Sequence, residues 1–464
     1  MSLNLSGLNS KLSPAIVSIH IPENHPLLLL AEALPWSALG EIVIADLKKT
    51  TAKGCWWMGR AILVRMHLAA YFLQKIYNLT DRKIEYGLKD NAAYRLFSGI
   101  NIVKGWHPPD HSKIEEFRNR LSGETQRQLA NELAKAAVAL GFADPSQTDF
   151  DSTVQEANIA YPSDASLLTK FASLGKKVAD YLTKKTQKIT EKIPQIDLSQ
   201  VKKKALRYFF AAKNTAIEDK RRMFADLHHF VKKQMKPIVS LCSKSDSNRI
   251  KRMPWNIYRA VNQIKDHAWR YFLDVAHFTR DHTIKAGKIL SIHTQAVACI
   301  AKGKAGRAYE FGRVFQLGRI KGNFMMVAQS LDLRMNDKHS LPSLLEEHAR
   351  IFGKDILQSV ATDKGYWSKA NYDKVIKMKA SPAGMQHSRK PKKKPMPLDQ
   401  EALHLRDRRA GIEPLIGHLK HGGMLGRSRM KTDAGTLAAG YASVLGFNLR
   451  QLTRCRMGKI KKAA

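Results

Sequence analysis

The sequence predicts an α/β protein: a mixed-sheet domain interrupted by a helical insertion, with a helical domain ahead of it. Three observations lead there. Apolar residues recur every three or four positions before residue 141 and again across about 165–290, the signature of amphipathic helices. Strand-like runs bracket the second helical stretch. Three carboxylates stand in separate contexts: Asp151 and Asp363 end or follow short apolar runs, and Glu413 sits among basic residues at helical spacing. With 464 residues the chain is too long for one ordinary domain. The boundaries are placed at 1–140 for the N-terminal domain and 141–464 for the remainder.

Taken in order, residues 1–45 carry one basic side chain, Lys11, and read as a lead-in segment. From Trp56 to Gly99 the pattern is helical, with Ile62, Met66, Ala69, Leu73 and Ile76 on one face. Thr80 is a cap candidate for a second helix reaching Leu88, and the pair is compatible with a helix-turn-helix or with an ordinary helical hairpin. Another helix pair covers 111–141, and Gly141 to Ser146 reads as a turn. Thr148 to Val154 then alternates as a strand. The stretch 165–290 is helical and should break at Pro194, Pro237 and Pro254. Strands return at 297–301, 309–320 and 323–330, a helix at Pro342 to Phe352, and an apolar strand at Asp355 to Ala361, with Asp363 just beyond its end. Residues 381–397 form a basic, proline-rich tract expected to be a solvated loop.

Charge narrows the function. Lys and Arg total 78 against 40 Asp and Glu, a formal charge of +38, well beyond what solubility needs and attractive to a polyanion. The stretch 165–290 concentrates it, with 28 basic and 10 acidic residues. Aromatics are interleaved there, but most belong to a core, so a nucleic-acid contact rests on charge. Cys55, Cys242, Cys299 and Cys455 are scattered without paired spacing, so neither a disulfide framework nor a cysteine zinc site is suggested. His228-His229 and the pair His418 and His421 lack a third ligand for zinc. No glycine-rich nucleotide loop of the Walker type occurs. Apolar runs such as Pro26 to Leu34 fall short of the roughly 20 residues a spanning helix needs, so a cytosolic chain without membrane contact is expected.

Cleaving a phosphodiester requires both the attacking and the leaving oxygen to be stabilised, and two divalent cations on carboxylates do this. Magnesium suits such a donor set, since it takes few protein carboxylates and fills its octahedron with water and substrate oxygens. Asp151, Asp363 and Glu413 are the candidate ligands. Around Glu413, the residues Arg406, Arg409 and Lys420 fall on one helical face at about 100° per residue. Cations beside a carboxylate suit a place where metal meets phosphate. Pro414 is an awkward neighbour because proline kinks or restarts a helix.

These residues resemble the DDE transposases of bacterial insertion sequences, in the branch with Arg-x3-Glu-x6-Lys around the last acid. Arg409, Glu413 and Lys420 match that element. Asp363-Lys364-Gly365-Tyr366 resembles the second-acid motif, and Asp151 to Val154 with Ala160 to Asp164 the first. Leu79 to Arg82 and Tyr94 to Gly99 look like the family's N-terminal domain, and Leu437 to Arg450 like its closing helix. Arg406 stands where relatives often carry tyrosine. The resemblance implies a ribonuclease H-like catalytic domain, an N-terminal domain that binds DNA ends, and a catalytic triad of Asp151, Asp363 and Glu413 holding two Mg2+ ions, replaceable by Mn2+. It implies Arg406, Arg409 and Lys420 as DNA contacts, terminal inverted repeats and target DNA as partners, a homo-oligomer on DNA, and a nucleoid-associated cytoplasmic location. A nonenzymatic DNA-binding descendant and a nuclease without strand transfer remain as alternatives.

Overall fold

The computed structural model describes residues 20–50, 61–100, 107–160, 162–185, 193–211, 214–244, 252–283, 287–304, 307–330, 336–385, 400–430 and 432–463. Cys55, Tyr161, residues 1–19 of the lead-in and the lysine-rich part of the proline tract lie outside these residues.

The N-terminal third is helical: α1 (Pro26–Ala33) and α2 (Trp36–Thr50), both starting within the lead-in, and then, as the periodicity predicts, α3 (Ala61–Tyr77), α4 (Asp81–Asp90), α5 (Ala92–Phe97), α6 (His111–Arg120) and α7 (Gly123–Ala139). The Thr80 hydroxyl accepts the Lys83 N–H at 3.3 Å and starts α4. The lead-in reading fails from residue 26 onward, because Leu27, Leu29, Leu30 and Leu34 are buried. No single helix among the described residues is long and apolar enough to cross a membrane.

β1 (Asp144–Glu156) begins inside the expected turn, and its register with β3 shifts between Asp144 and Thr148. Helices α8 (Asp164–Lys185), α9 (Leu198–Phe209), α10 (Ile217–Lys244), α11 (Trp255–Gln263) and α12 (Trp269–Asp281) follow, the last two joined by a π-helical turn at Ile264–Ala268. They bury a core of their own, including Phe171, Leu227, Met235, Ile264 and Phe272. Pro237 does not break α10, since Met235, Ile238, Val239 and Cys242 on both sides of it are buried. Asp164 at the start of this region meets the Lys288 ammonium at its exit, 2.5 Å away, closing the neck.

β2 (Ala298–Lys304), β3 (Arg307–Lys321), β4 (Phe324–Val327), α13 (Asp337–Phe352), β5 (Ser359–Thr362), α14 (Lys369–Lys377) and β6 (Ser381–Gly384) complete the α/β part. β6 occupies the start of the tract read as a loop. The chain ends in α15 (Gln400–Arg409), α16 (Ile412–Gly422) and α17 (Asp433–Ala463). The six-stranded sheet runs β2-β3-β1-β5-β6, with β4 also on β3. β1 is antiparallel to β3 and parallel to β5, which is parallel to β6.

The faces of the sheet are covered differently. Phe150 points toward α13, in a cluster with Leu341, Leu344, Val360 and Tyr366. Phe315 and Leu317 join the large core shared by the N-terminal helices and α17. Gly440 permits this closeness: a Cβ there would stand 2.0 Å from the Phe315 ring. The open edge of β4 is closed by two buried amides. Asn448 bonds the backbone N and O of Met325 at 3.0 and 2.7 Å, and Asn131 those of Val327 at 2.9 and 3.0 Å. These side chains imitate a neighbouring strand and satisfy a strand edge that would otherwise be left unpaired.

Candidate active site

The register of β1 and β5 pairs Phe150 with Thr362, so Asp151 and Asp363 are the next residues on adjacent parallel strands. There β5 ends and a single 3-10 turn, Lys364–Tyr366, begins, with Asp363 as its cap. β1 regains a partner on this side only at Glu156, whose N–H and C=O bond the O of Gly426 and the N–H of Ser428. A gap therefore opens beside β1 at the carboxyl end of β5, the place where parallel sheets hold ligands.

Asp337, absent from the sequence reading, reaches the same gap. It stands in the first turn of α13, accepts a hydrogen bond from the Ser152 hydroxyl at 3.0 Å, and interacts electrostatically with Asp151 and Asp363. A start at Pro342 hid it, because proline favours a helix's first turn. The true start lies five residues earlier, and Asn336-Asp337 was the available signal. Burial pushes the Asp151 carboxyl up to about 6. The Ser152 N–H and Arg409 oppose that rise, while Asp363 and Asp337 add to it. Burial raises Asp337 as well, with Asp363 contributing.

Glu413 arrives from the other side. The chain breaks between α15 and α16, so the helical face expected to join Arg406, Arg409, Glu413 and Lys420 is interrupted. Pro414 falls in the first turn of α16, where its missing N–H costs little. Arg409 nonetheless spans the acids, with its guanidinium 3.1 Å from Glu413 and 4.0 Å from Asp363. Glu413 and Asp363 are 64% and 57% exposed, so both remain open to solvent or ligand. Lys420 lies about two turns further along α16 and is half-buried. Arg406 belongs to α15, and its side chain lies outside the description. His418 and His421 are exposed on α16. Among the described residues no three His, Cys, Asp or Glu side chains are gathered as a ready metal-holding group. Asp151 and Asp363 are thus neighbours, and Arg409 links Glu413 to Asp363.

A second acid, Asp149, is paired with arginines close to this site and is distinct from it. Asp149 shares the face of β1 with Asp151, but it is buried and receives Arg408 Nη2 at 2.6 Å and Nε at 3.1 Å, with Arg319 at 3.4 Å.

Residues 16–120 match the family model described as a transposase domain (DUF772), which corresponds to the helical N-terminal region. That match supports a transposase family. No curated protein and no solved structure matches the chain.

Proposed function

We propose that this chain is a metal-dependent DDE transposase that cuts DNA at the ends of an insertion sequence and joins them to target DNA. The observation that carries the reading is the abutment of Asp151 and Asp363 at the end of β5, with Asp337 beside them. The transposase-domain match over residues 16–120 supports the same class independently. The sheet order, with β1 antiparallel to β3 and parallel to β5 and β6, favours a ribonuclease H-like domain, and the separate core of 164–292 favours a helical insertion.

The donor set fits hard divalent cations, being carboxylate oxygens that repel one another and lack full neutralisation. Asp151 and Asp363 would hold the pair of Mg2+ ions, or Mn2+, and Glu413 would complete the second position. When bound, the metals supply an activated nucleophile and stabilise the leaving oxygen. Arg409 screens the acids from one another in the free chain. With DNA present, Arg409, Lys420 and Arg406 serve phosphates, and Glu413 is released from Arg409. Duplex DNA, both terminal repeats and target, is the partner, and a homo-oligomer would hold the two ends together.

Asp363→Asn tests the reading, because it keeps shape and removes the charge. End binding should persist while nicking of intact ends and joining of pre-nicked ends both fall at least about 100-fold, since phosphate contacts bind and carboxylate-held metal reacts. Full joining of a pre-nicked end by the variant, with Mg2+ or Mn2+ supplied, would sink the assignment.

A further inference from the structure

Away from the acids, a cavity of about 270 Å³ lies where the N-terminal helices meet the end of the chain. Its walls are the end of α3 and the start of α4, Arg118 of α6, the segment 423–430 after α16, and the small residues Ala439, Ala442 and Gly446 of α17. Its polar groups are only partly matched to one another. Asp81 is taken up by Arg118, whose Nη2 lies 3.0 Å away, and by the Gln74 amide at 2.7 Å. The Nε of Arg118 and the Oε1 of Gln74 are buried and find no hydrogen-bond partner among the described residues. Lys75 forms no ion pair among the described residues, and its ammonium stands 5.0 Å from the Tyr71 ring. Arg429 adds a further cation to the wall. One carboxylate therefore stands with two cations, Arg118 and Lys75, in a partly apolar enclosure where uncompensated charge is costly, and Arg429 is exposed at the wall.

We propose that this cavity is an anion site that takes a phosphate group, with the Lys75 ammonium as charge partner and the Arg118 guanidinium adding positive charge to the wall. The site would join the N-terminal domain to the segment that follows α16, so a phosphate held there links the two parts of the chain. The identification of that phosphate with the DNA backbone rests on the transposase reading. Free phosphate is the other source of the same chemistry.

Lys75 supplies a distinctive signature. Burial, with Arg118 adding to it and Asp81 opposing, pushes its ammonium down to about 8. The other groups that face it are the Tyr71 ring, Arg429 across the cavity and Arg450, whose Nη1 bonds the Lys75 carbonyl at 2.8 Å. A bound anion would hold the proton on; without one, the charge is lost as pH rises through about 8.

The experiment compares the wild-type chain with Lys75→Met, which keeps the stem and removes the charge, and uses Lys354→Met, at an exposed position outside the basic stretch 165–290, as control. In the first arm, melting temperature is read in inorganic phosphate and in chloride at equal ionic strength. In the second, affinity for duplex DNA is read against salt and against pH from 7 to 9.5. The expected result is that Lys75→Met melts at or above the wild-type temperature in chloride. It should also lose the phosphate-specific rise, or show a DNA salt slope smaller by about one unit, the loss of one phosphate contact. Wild-type DNA affinity should drop above pH 8 more steeply than that of the variant. A response in the phosphate arm alone assigns the site to free phosphate, and a response in the DNA arm assigns it to the backbone. If Lys75→Met is folded and matches wild type in phosphate response, salt slope and pH profile, the anion site is wrong. A wild-type chain that binds no duplex DNA at any salt overturns the transposase reading, and the phosphate arm still decides the cavity.

Discussion

Two acid and arginine neighbourhoods lie side by side, and they differ in almost everything but residue type. Asp149 and Asp151 share one face of β1, and Arg408 and Arg409 are consecutive on α15. Asp149 is 2% exposed, clasped by Arg408 through two nitrogens and touched by Arg319, while Arg408 also donates to Gln147 at 2.6 Å. Among the described residues Asp151 receives only its neighbour's N–H at 2.7 Å as a hydrogen bond, and Arg409 turns instead to Glu413 and Asp363. The first pair fastens α15 to the sheet. The second leaves carboxylate charge uncompensated, which is what a cation site requires and what a stable fold avoids. Stability and chemistry are thus assigned to adjacent positions of the same elements.

The comparison can be broken most directly at Asp149. Asp149→Ala leaves Arg408 and Arg319 without their buried counter-charge, and removing one partner of a buried pair typically costs about 3–5 kcal/mol. A lowered urea midpoint with an unchanged m-value would show it. A loss below about 1 kcal/mol would mean that this pair is not what holds α15.

Asp151→Asn should act in the opposite direction. The Asp151 carboxyl is raised to about 6, above the ordinary value of 3.8, so the folded chain holds its proton more tightly than the unfolded chain does. Its ionisation therefore costs stability, progressively from about pH 4 to pH 6, and the cost is constant above that. Without divalent metal the Asn variant should be more stable at pH 7 by on the order of 1–2 kcal/mol, discounted for partial exposure, and the gain should vanish near pH 4. Mg2+ should stabilise the wild-type chain and not the variant, because a ligand bound only by the folded state shifts the equilibrium toward it. A variant that is less stable than wild type at pH 7 would place Asp151 with Asp149 and erase the contrast.

How far the sequence reached follows the same division. Local patterns placed the helices between Ala61 and Ala139, β1, β3 and the strand before Asp363, because periodicity and caps are local, but they missed the two helices between Pro26 and Thr50. The adjacency of Asp151 and Asp363 depends on a parallel pairing between distant segments, which no local pattern encodes; the chemistry of a carboxylate metal site and the family resemblance put those residues together. Asp337 escaped because proline at 342 offered a persuasive helix start, although Asn336-Asp337 supplied a second one. Pro237 misled for a related reason: its missing N–H argues for a break, but the burial of Met235, Ile238 and Val239 in the helical core outweighs one lost hydrogen bond. Asp149 and Arg408 were passed over because, in sequence, a structural acid beside a site acid has no distinguishing mark. Burial and the partner across the fold make the distinction.

The charged triplet on α9 shows the same limit, since Lys202 and Lys203 are exposed while Lys204 is bound to Asp226 at 2.5 Å. Like residues diverge again by partner.

The smallest effect, and the sharpest test of the contrast, concerns the two arginines. Arg409→Gln removes a guanidinium whose partners, Glu413 and Asp363, are mostly exposed, and such pairs contribute about 0–1 kcal/mol. Arg408→Gln strands Asp149, which is buried, and should cost several times more. Chemical denaturation of the two variants measured together at pH 7 would give the ratio. Arg409→Gln should also remove a charge that lowers the Asp151 carboxyl, moving that group above 6 and extending the pH range over which its ionisation weakens the fold. DNA nicking should fall in this variant while its folding stability stays within about 1 kcal/mol of wild type, because its charge serves phosphate and acids at an open site. Equal losses of stability in the two variants would show that Arg409 fastens α15 as Arg408 does, and that the division between the neighbouring pairs does not exist.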